Sequence, residues 1–415
     1  MNSFWRIFSL ESVALVRSKT LPLMMAAATV WMFAMPYILR SDGTAEGARE
    51  LYIHYSLGGV LLMLVVSLVA SATGSLARER AEKRLQLTLV RPVSAFTVAA
   101  GKICALTAAG ALTAALAVAV LGFKTGFSGR CFHVLSPVMA ASVESEAAEE
   151  YGKFMADPET PDILRKADKK AVLKILEQRA LDRYEVLPTN SVSSWSFPHA
   201  AGAGGGAVVR MRFSSAYDSR QDVFGVFASG DCRVAVSNIT KSVLTVPLGD
   251  GNVSGRLEFF NLGGKPLMVR PRQDVELLLP ADAALWNMLR AWIVMTATLA
   301  LVISVGLVLG AALGRPVALF TAVVTLIVGE MSPGVVKRYP DPLGAPGFDR
   351  IGLAVAEAVT DNLRPVSSML PLEELSRGEC VEWSEVARQS AVSLFMLPAL
   401  AALLAAFVMS HKPAD

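Results

Sequence analysis

The chain has 415 residues, of which 53% are hydrophobic and 18% charged, and its formal net charge is +3. A mean hydropathy of +0.46 exceeds what a soluble domain of this size needs, so the class is membrane protein. The near-neutral balance gives no case for nucleic acid, and the basic residues gather at the ends of apolar runs, which signals topology rather than a binding patch.

Residues 1–20 mix Phe4, Trp5, Ile7 and Phe8 with Arg6, Arg17 and Lys19. This reads as an interfacial helix, with aromatics at headgroup level and basic residues facing anionic membrane lipid. It is no cleavable signal, because the next apolar run is long enough to anchor and no small-residue cleavage site follows. Residues 21–123 hold three expected spans, Leu21–Leu39, His54–Ala77 and Phe96–Phe123, with a short polar loop at Arg40–Glu50 and Lys102 near the inner end of the third. Between the second and third lies a charged segment, 77–95, that carries Arg78, Glu79, Arg80, Glu82, Lys83 and Arg84 and ends in Arg91-Pro92-Val93-Ser94. Basic side chains bracketed by spans stay on the cytoplasmic side, because carrying each through the bilayer costs several kcal/mol.

Residues 124–285 break the membrane pattern and read as an inserted extracytoplasmic domain. Its first part, 143–188, is charged and helical in character, with Thr160-Pro161 as a cap followed by proline, and Leu164, Ala167, Ala171 and Ile175 at helical spacing. A Gly/Ala linker follows at Ala201–Ala207. Over 207–282 the period changes to two, with Val209, Met211 and Phe213 alternating with Arg210 and Arg212. Short runs of this kind separated by glycine turns predict a small β-sandwich.

Residues 286–331 return to the membrane as Trp286–Leu313 and Val317–Met331, joined by the turn Gly314-Arg315-Pro316. Glu330, near the outer end of the fifth span, is a candidate pathway residue, although a carboxylate at a helix end reaching water is the plainer reading. A Pro-rich connection, 332–388, is expected outside, with a short helix at Ile351–Asn362. The sixth span is 389–409 and the cytoplasmic tail 410–415. The expected fold class is an α-helical polytopic membrane protein of six transmembrane helices, both termini cytoplasmic, with an inserted extracytoplasmic α+β domain containing a small β-sandwich.

Of the four cysteines, Cys104 lies in a span and Cys131, Cys232 and Cys380 lie in external segments. Cys131 and Cys232 could pair in an oxidising compartment, but their spacing matches no known framework and Cys380 is left over, so unpaired packing cysteines are favoured. The four histidines are scattered and suggest no metal site.

The segment from Glu79-Arg80 to Arg91-Pro92-Val93-Ser94, with Glu82, Leu85, Leu87, Leu89 and then Gly101-Lys102, resembles the loop between spans two and three of permeases of the ABC-2 class of ABC transporters. Lys83 and Arg84 depart from that pattern, where Gly-Thr is usual, and Ala95 replaces a basic residue. Met369–Trp383 resembles the Pro-Leu and Val-x-Trp segment ahead of the last span in related bacterial permeases. The resemblance leaves out Lys124–Leu285. It implies a permease subunit in a bacterial inner membrane, moving substrate outward as an exporter, that binds an ABC ATPase through the charged segment and pairs with a second permease subunit. Its coupling residues would be Arg78, Glu79, Arg80, Glu82, Lys83, Arg84, Arg91, Pro92, Val93 and Ser94.

No G-x-x-x-x-G-K-[ST] is present, so ATP and Mg are expected on the partner ATPase and no cofactor on this chain, which carries no catalytic residue of its own. The competing reading is a membrane-anchored envelope binding or sensory module that presents the β-sandwich. An intramembrane enzyme is disfavoured, because the spans carry no paired acids and no H-E-x-x-H.

Overall fold

The computed structural model describes residues 3–40, 45–82, 93–125, 129–139, 142–156, 169–200, 206–215, 220–249, 253–338 and 370–411. The chain divides into two compact units. The first comprises Met1–Cys131, Asp282–Arg338 and Ile351–Asp415, and the second takes in Phe132–Ala281.

The first unit is helical. A short helix, α1 (Ser3–Arg17), ends at Ser18 and Lys19, where Lys19 sits at φ 60° and the chain turns into α2 (Thr20–Ile38). Next come α3 (Ala45–Ala81) and α4 (Ala95–Thr125). After the second unit the chain returns as α8 (Ala284–Ala312) and α9 (Arg315–Arg338), and later as one apolar helix over Trp383–His411. Among the described residues, five helices are long and apolar enough to cross a membrane: α2, most of α3, α4, α8 and Trp383–His411, with a shorter apolar stretch at Arg315–Val328 in α9. A polytopic membrane protein follows.

The start of α3 differs from the sequence expectation. Helix α3 begins at Ala45, so much of the expected Arg40–Glu50 loop is helical. The expected cap Thr160-Pro161, Leu164, Ala167, residues 201–205 of the linker and the short helix at 351–362 lie outside the described residues.

Helix α8 is the centre of the unit. Val294, Met295, Leu299, Ile303 and Leu307 are buried against Leu57, Leu61, Leu64 and Leu68 of α3, Leu106 of α4 and Ala402 and Ala405 of the last helix. Close approach of α3 and α8 needs glycine. A Cβ at Gly310 would lie 2.5 Å from the Thr73 carbonyl oxygen, and one at Gly306 would lie 3.2 Å from the Ala72 Cβ. Small residues four apart let two backbones meet in lipid, where no hydrophobic drive pushes helices together.

The second unit is α+β. Among the described residues it holds two charged helices, α5 (Val143–Ala156) and α6 (Lys169–Leu181), and eleven strands counting the two that run into the first unit. These are β1 (Arg130–Leu135), β2 (Glu185–Leu187), β3 (Val192–Ser196), β4 (Val208–Arg212), β5 (Ser214–Ser215), β6 (Asp222–Ser229), β7 (Cys232–Ile239), β8 (Val243–Pro247), β9 (Arg256–Asn261), β10 (Leu267–Val269) and β11 (Val275–Ala283), with a single helical turn, α7 (Pro271–Asp274), before the last. Two four-stranded sheets, ordered β1-β11-β4-β8 and β3-β9-β6-β7, are joined by a three-stranded sheet, β2-β10-β5.

Alternation along the strands sends Val209, Met211, Val275 and Leu277 from one sheet, and Trp195, Phe227, Leu257 and Phe259 from the other, into one shared core. Phe259 meets Phe213 and Phe227 at ring-centre distances of 4.8 and 4.9 Å. Three strands, β1 to β3, precede the 207–282 stretch in which the sequence placed all the sheet. VSSWS and EVL are too short and too polar to show a period.

The cysteine expectation is corrected. Cys131 is bonded to Cys380, with Cα atoms 5.1 Å apart, while Cys232 and Cys104 are free. Cys232 stands on β7 beside the sandwich core, whereas Cys131 closes the first unit where the chain leaves it.

Candidate functional site

At one end of the first unit the last turn of α3, the first turns of α4 and the middle of α1 converge on a buried ammonium. Lys102 is 2% exposed. Its Nζ donates to Glu11 Oε2, Glu79 Oε1 and Ser75 Oγ, each at 2.8 Å. Ser75 Oγ in turn donates to Glu11 Oε1 at 3.0 Å. An ammonium has three protons, and all three are used. An ionised side chain inside a helical bundle persists only when paired in this way, because an unpaired charge there is expensive.

The local sequence explains the approach. Gly101 precedes Lys102, and a Cβ at that position would lie 2.9 Å from Ile7 Cγ2, so only a glycine lets α1 lie against α4. Ile7, Glu11 and Leu15 are four apart and share one face of α1, which places the carboxylate between two apolar contacts.

The same end ties α3 to α8. Arg80 donates from its guanidinium to the carbonyl of Ala311, one of the last acceptors of α8 and without a partner inside that helix. A cation at a helix C-terminus also meets the negative end of the helix dipole. Glu79 and Arg80 thus engage the bundle itself, while Arg78 and Glu82 are exposed. Ser94 caps α4: its Oγ accepts from the Thr97 amide at 3.2 Å and bonds the Thr97 hydroxyl at 2.7 Å. Val93 is half-buried beside it. Lys83, Arg84, Arg91 and Pro92 lie outside the described residues, and so does the side chain of Glu330 on α9.

The opposite end is built differently. A helix of six residues, α10 (Leu372–Arg377), buries Leu375 and sets Leu372 against Gly58 of α3. It closes on Gly378 at φ 73°, whose amide donates to Leu375 O, while Glu379 N donates to Glu374 O, the double bond that ends many helices. The chain then docks on α8. Asn287 Nδ2 donates to Glu379 O at 2.7 Å, and Val381 N donates to Asn287 Oδ1 at 2.8 Å. Arg290, 4% exposed, donates to Val381 O at 3.2 Å, pairs with Asp282 and stacks over the Trp383 ring at 4.5 Å. Cys380, between these contacts, carries the disulfide to Cys131. The last helix follows as α11 (Trp383–Gln389), a π-type segment at Ser390–Met396 and α12 (Leu397–His411).

A family model described as "ABC-2 family transporter protein" matches residues 7–143. Over this stretch the chain is similar to the ABC-2 transporter family. The match takes in α1 from Ile7 onward, α2, α3, α4 and the joint built on Lys102, and it ends at the start of α5. No curated protein and no solved structure matches the chain.

Sequence reasoning singled out Glu79 and Arg80 for their charge and missed their partners. It also passed over Glu11, Asn287 and Arg290. The available signal was a charged residue inside an apolar run, as at Lys102 and Arg290, since each needs a counter-charge or a set of carbonyls nearby.

Proposed function

We propose that this chain is the membrane-spanning permease subunit of an ATP-driven transporter, working as an exporter, and that a separate ATPase acts on it through the charged end of α3. The observation that carries this reading is the family match over 7–143, which contains that end. Exposed Arg78 and Glu82 at the tip of α3 offer charge to a soluble partner, and Arg80 and Glu79 join the tip to α8 and α4, so a push there reaches three spans.

The charged end faces the cytoplasm in this reading and the disulfide end faces the opposite compartment. Lys and Arg cluster at the first, and disulfides persist where the surroundings are oxidising. A bacterial inner membrane with both termini cytoplasmic fits that arrangement. The course of the chain supports six spans rather than five. Helix α8 ends beside Arg80 at the charged end, yet Trp383 begins beside Arg290 at the other. A single crossing between them fits this reading, and α9, with 24 residues, is the described element suited to it. At 1.5 Å per residue that helix spans about 36 Å. Pairing with a second permease subunit and contact with lipid along exposed Leu62, Val66, Phe320, Leu403 and Phe407 complete the reading.

The alternative, an envelope binding module, draws on the second unit having a core of its own. Gly129 O accepts from Ala284 N at 2.9 Å, so the points where the chain leaves and re-enters the first unit are adjacent. Residues 132–281 can therefore be replaced by a short linker. Purification from detergent followed by identification of the accompanying ATPase tests the proposal. A co-purified ATPase whose activity changes with Arg78→Glu supports it. Absence of any ATPase, with function lost only on removing 132–281, favours the alternative.

A further inference from the structure

Helix α1 is set off from α2 by a two-residue turn. It joins α2 through Ser18 and Lys19, where the backbone leaves helical geometry and Lys19 takes φ 60°. Its outward side shows Trp5, Leu10, Val13 and Val16, all exposed. What fixes it to the bundle is Ile7 over Gly101, the buried Leu15, and Glu11 on Lys102 and Ser75.

We infer that Lys102 and Glu11 form a latch which makes α1 part of the lever, so that α1 travels with the charged tip of α3 and the start of α4 as one body. This deepens the permease reading and rests on it for the source of the movement. Lys102 is a positioning residue here. Its side chain is 3% exposed against 17% for Glu11 and 31% for Glu79, so the ammonium is the sheltered centre and the two carboxylates approach it from different helices. The joint holds one positive and two negative groups. With Glu11 neutral, Lys102 keeps Glu79 and Ser75, and only the α1 side opens. With Glu79 neutral, Glu11 and Ser75 still hold α1. With Lys102 neutral, two carboxylates share Ser75 with nothing between them and repel.

This asymmetry gives the test. Spin labels are attached to Ser9→Cys on α1 and Phe96→Cys on α4, both exposed, in full-length chain with Cys104 and Cys232 replaced by Ser, in nanodiscs. The α1–α4 distance distribution is then read by pulsed EPR. Expected are a narrow distribution in the parent, a shift to longer and broader distances in Glu11→Gln, and a parent-like distribution in Glu79→Gln. Lys102→Met is expected to widen the distribution most, and Lys102→Met combined with Glu11→Gln and Glu79→Gln to narrow it again by removing the repulsion. If Lys102→Met does not fold, the two Glu→Gln variants still decide the matter. Equal distributions for Glu11→Gln and the parent would overturn the latch. A second arm adds ATP to the complex with its co-purified ATPase. An unchanged α1–α4 distance, while α1 moves relative to a label on α8, supports travel as one body, and a changed α1–α4 distance overturns it. Should no ATPase accompany the chain, the permease reading fails on that observation alone, and the first arm still judges the latch.

Discussion

The two ends of the helical unit are held by opposite means. At one, Lys102, Glu11, Glu79 and Arg80 join four helices through ion pairs and hydrogen bonds. At the other, Asn287 and Arg290 hold the 379–383 segment and a disulfide closes it. Non-covalent contacts can exchange partners during a cycle, and a disulfide cannot without a redox partner. The contrast suggests that movement enters at the charged end and that the disulfide end serves as its fixed support, with the tight α3–α8 contact at Gly306 and Gly310 between them.

The largest expected effect comes from breaking that connection. Gly310→Leu drives a side chain into the Thr73 backbone, which a backbone cannot avoid by changing rotamer, and is expected to cost about 3 kcal/mol or more. Detergent-solubilised protein should lose its monodisperse peak or show a sharply lower melting temperature. Next, Cys131→Ser with Cys380→Ser opens a closed loop with a sequence separation of 249 residues. A loss of about 2–5 kcal/mol is expected from removing a native bridge. Reducing agent should reproduce the drop in Tm in the parent and leave the double variant unchanged, while ATPase binding at the far end persists in both.

Smaller effects sharpen the contrast within the charged end. Arg80→Gln removes the bond to Ala311 and is expected to cost about 1–2 kcal/mol in thermal unfolding. Arg78→Gln, at an exposed site, should leave Tm within error and lower ATPase stimulation. Equal Tm losses for the two would remove the distinction between bundle-facing and partner-facing charges.

The smallest effect is in the second unit. Hydrogen bonds from Gln178 and Gln273, with Arg270 nearby, hold the Asp182 carboxyl below its ordinary value of 3.8. A lowered pKa contributes stability above the unfolded-state value, and that contribution is lost as pH falls through the folded-state value. Asp182→Asn should therefore match the parent near neutrality less a small constant and converge with it in acid, as read from melting curves between pH 7 and pH 3.

Much of the membrane frame was legible because a span needs only a long apolar run, and α2, α3, α4, α8 and the last helix each supply one. The tip of α3 was legible as a charged segment between two such runs. Its internal pairing was not, since Glu11 and Lys102 are 91 residues apart and only the packing of Ile7 on Gly101 brings them together. The disulfide was read wrongly for the same reason. Cys131 and Cys232 both lie in strands, β1 and β7, but Cys380 reaches Cys131 only because the Val-x-Trp segment, Val381 to Trp383, docks on α8. That segment was noticed as a resemblance, and the structure gives it a physical task. Strands β1 to β3 were missed because they are short and pair with partners far along the chain, as Val192–Ser196 does with Arg256–Phe260.

Orientation decides between the two roles assigned to the ends. Sealed membrane vesicles of known sidedness, carrying chain with Cys104 and Cys232 replaced by Ser and either Arg78→Cys or Ser384→Cys, are treated with a membrane-impermeant maleimide. The account predicts labelling of Arg78→Cys only from the cytoplasmic face and of Ser384→Cys only from the opposite face. Labelling of Arg78→Cys from the outer face would contradict it.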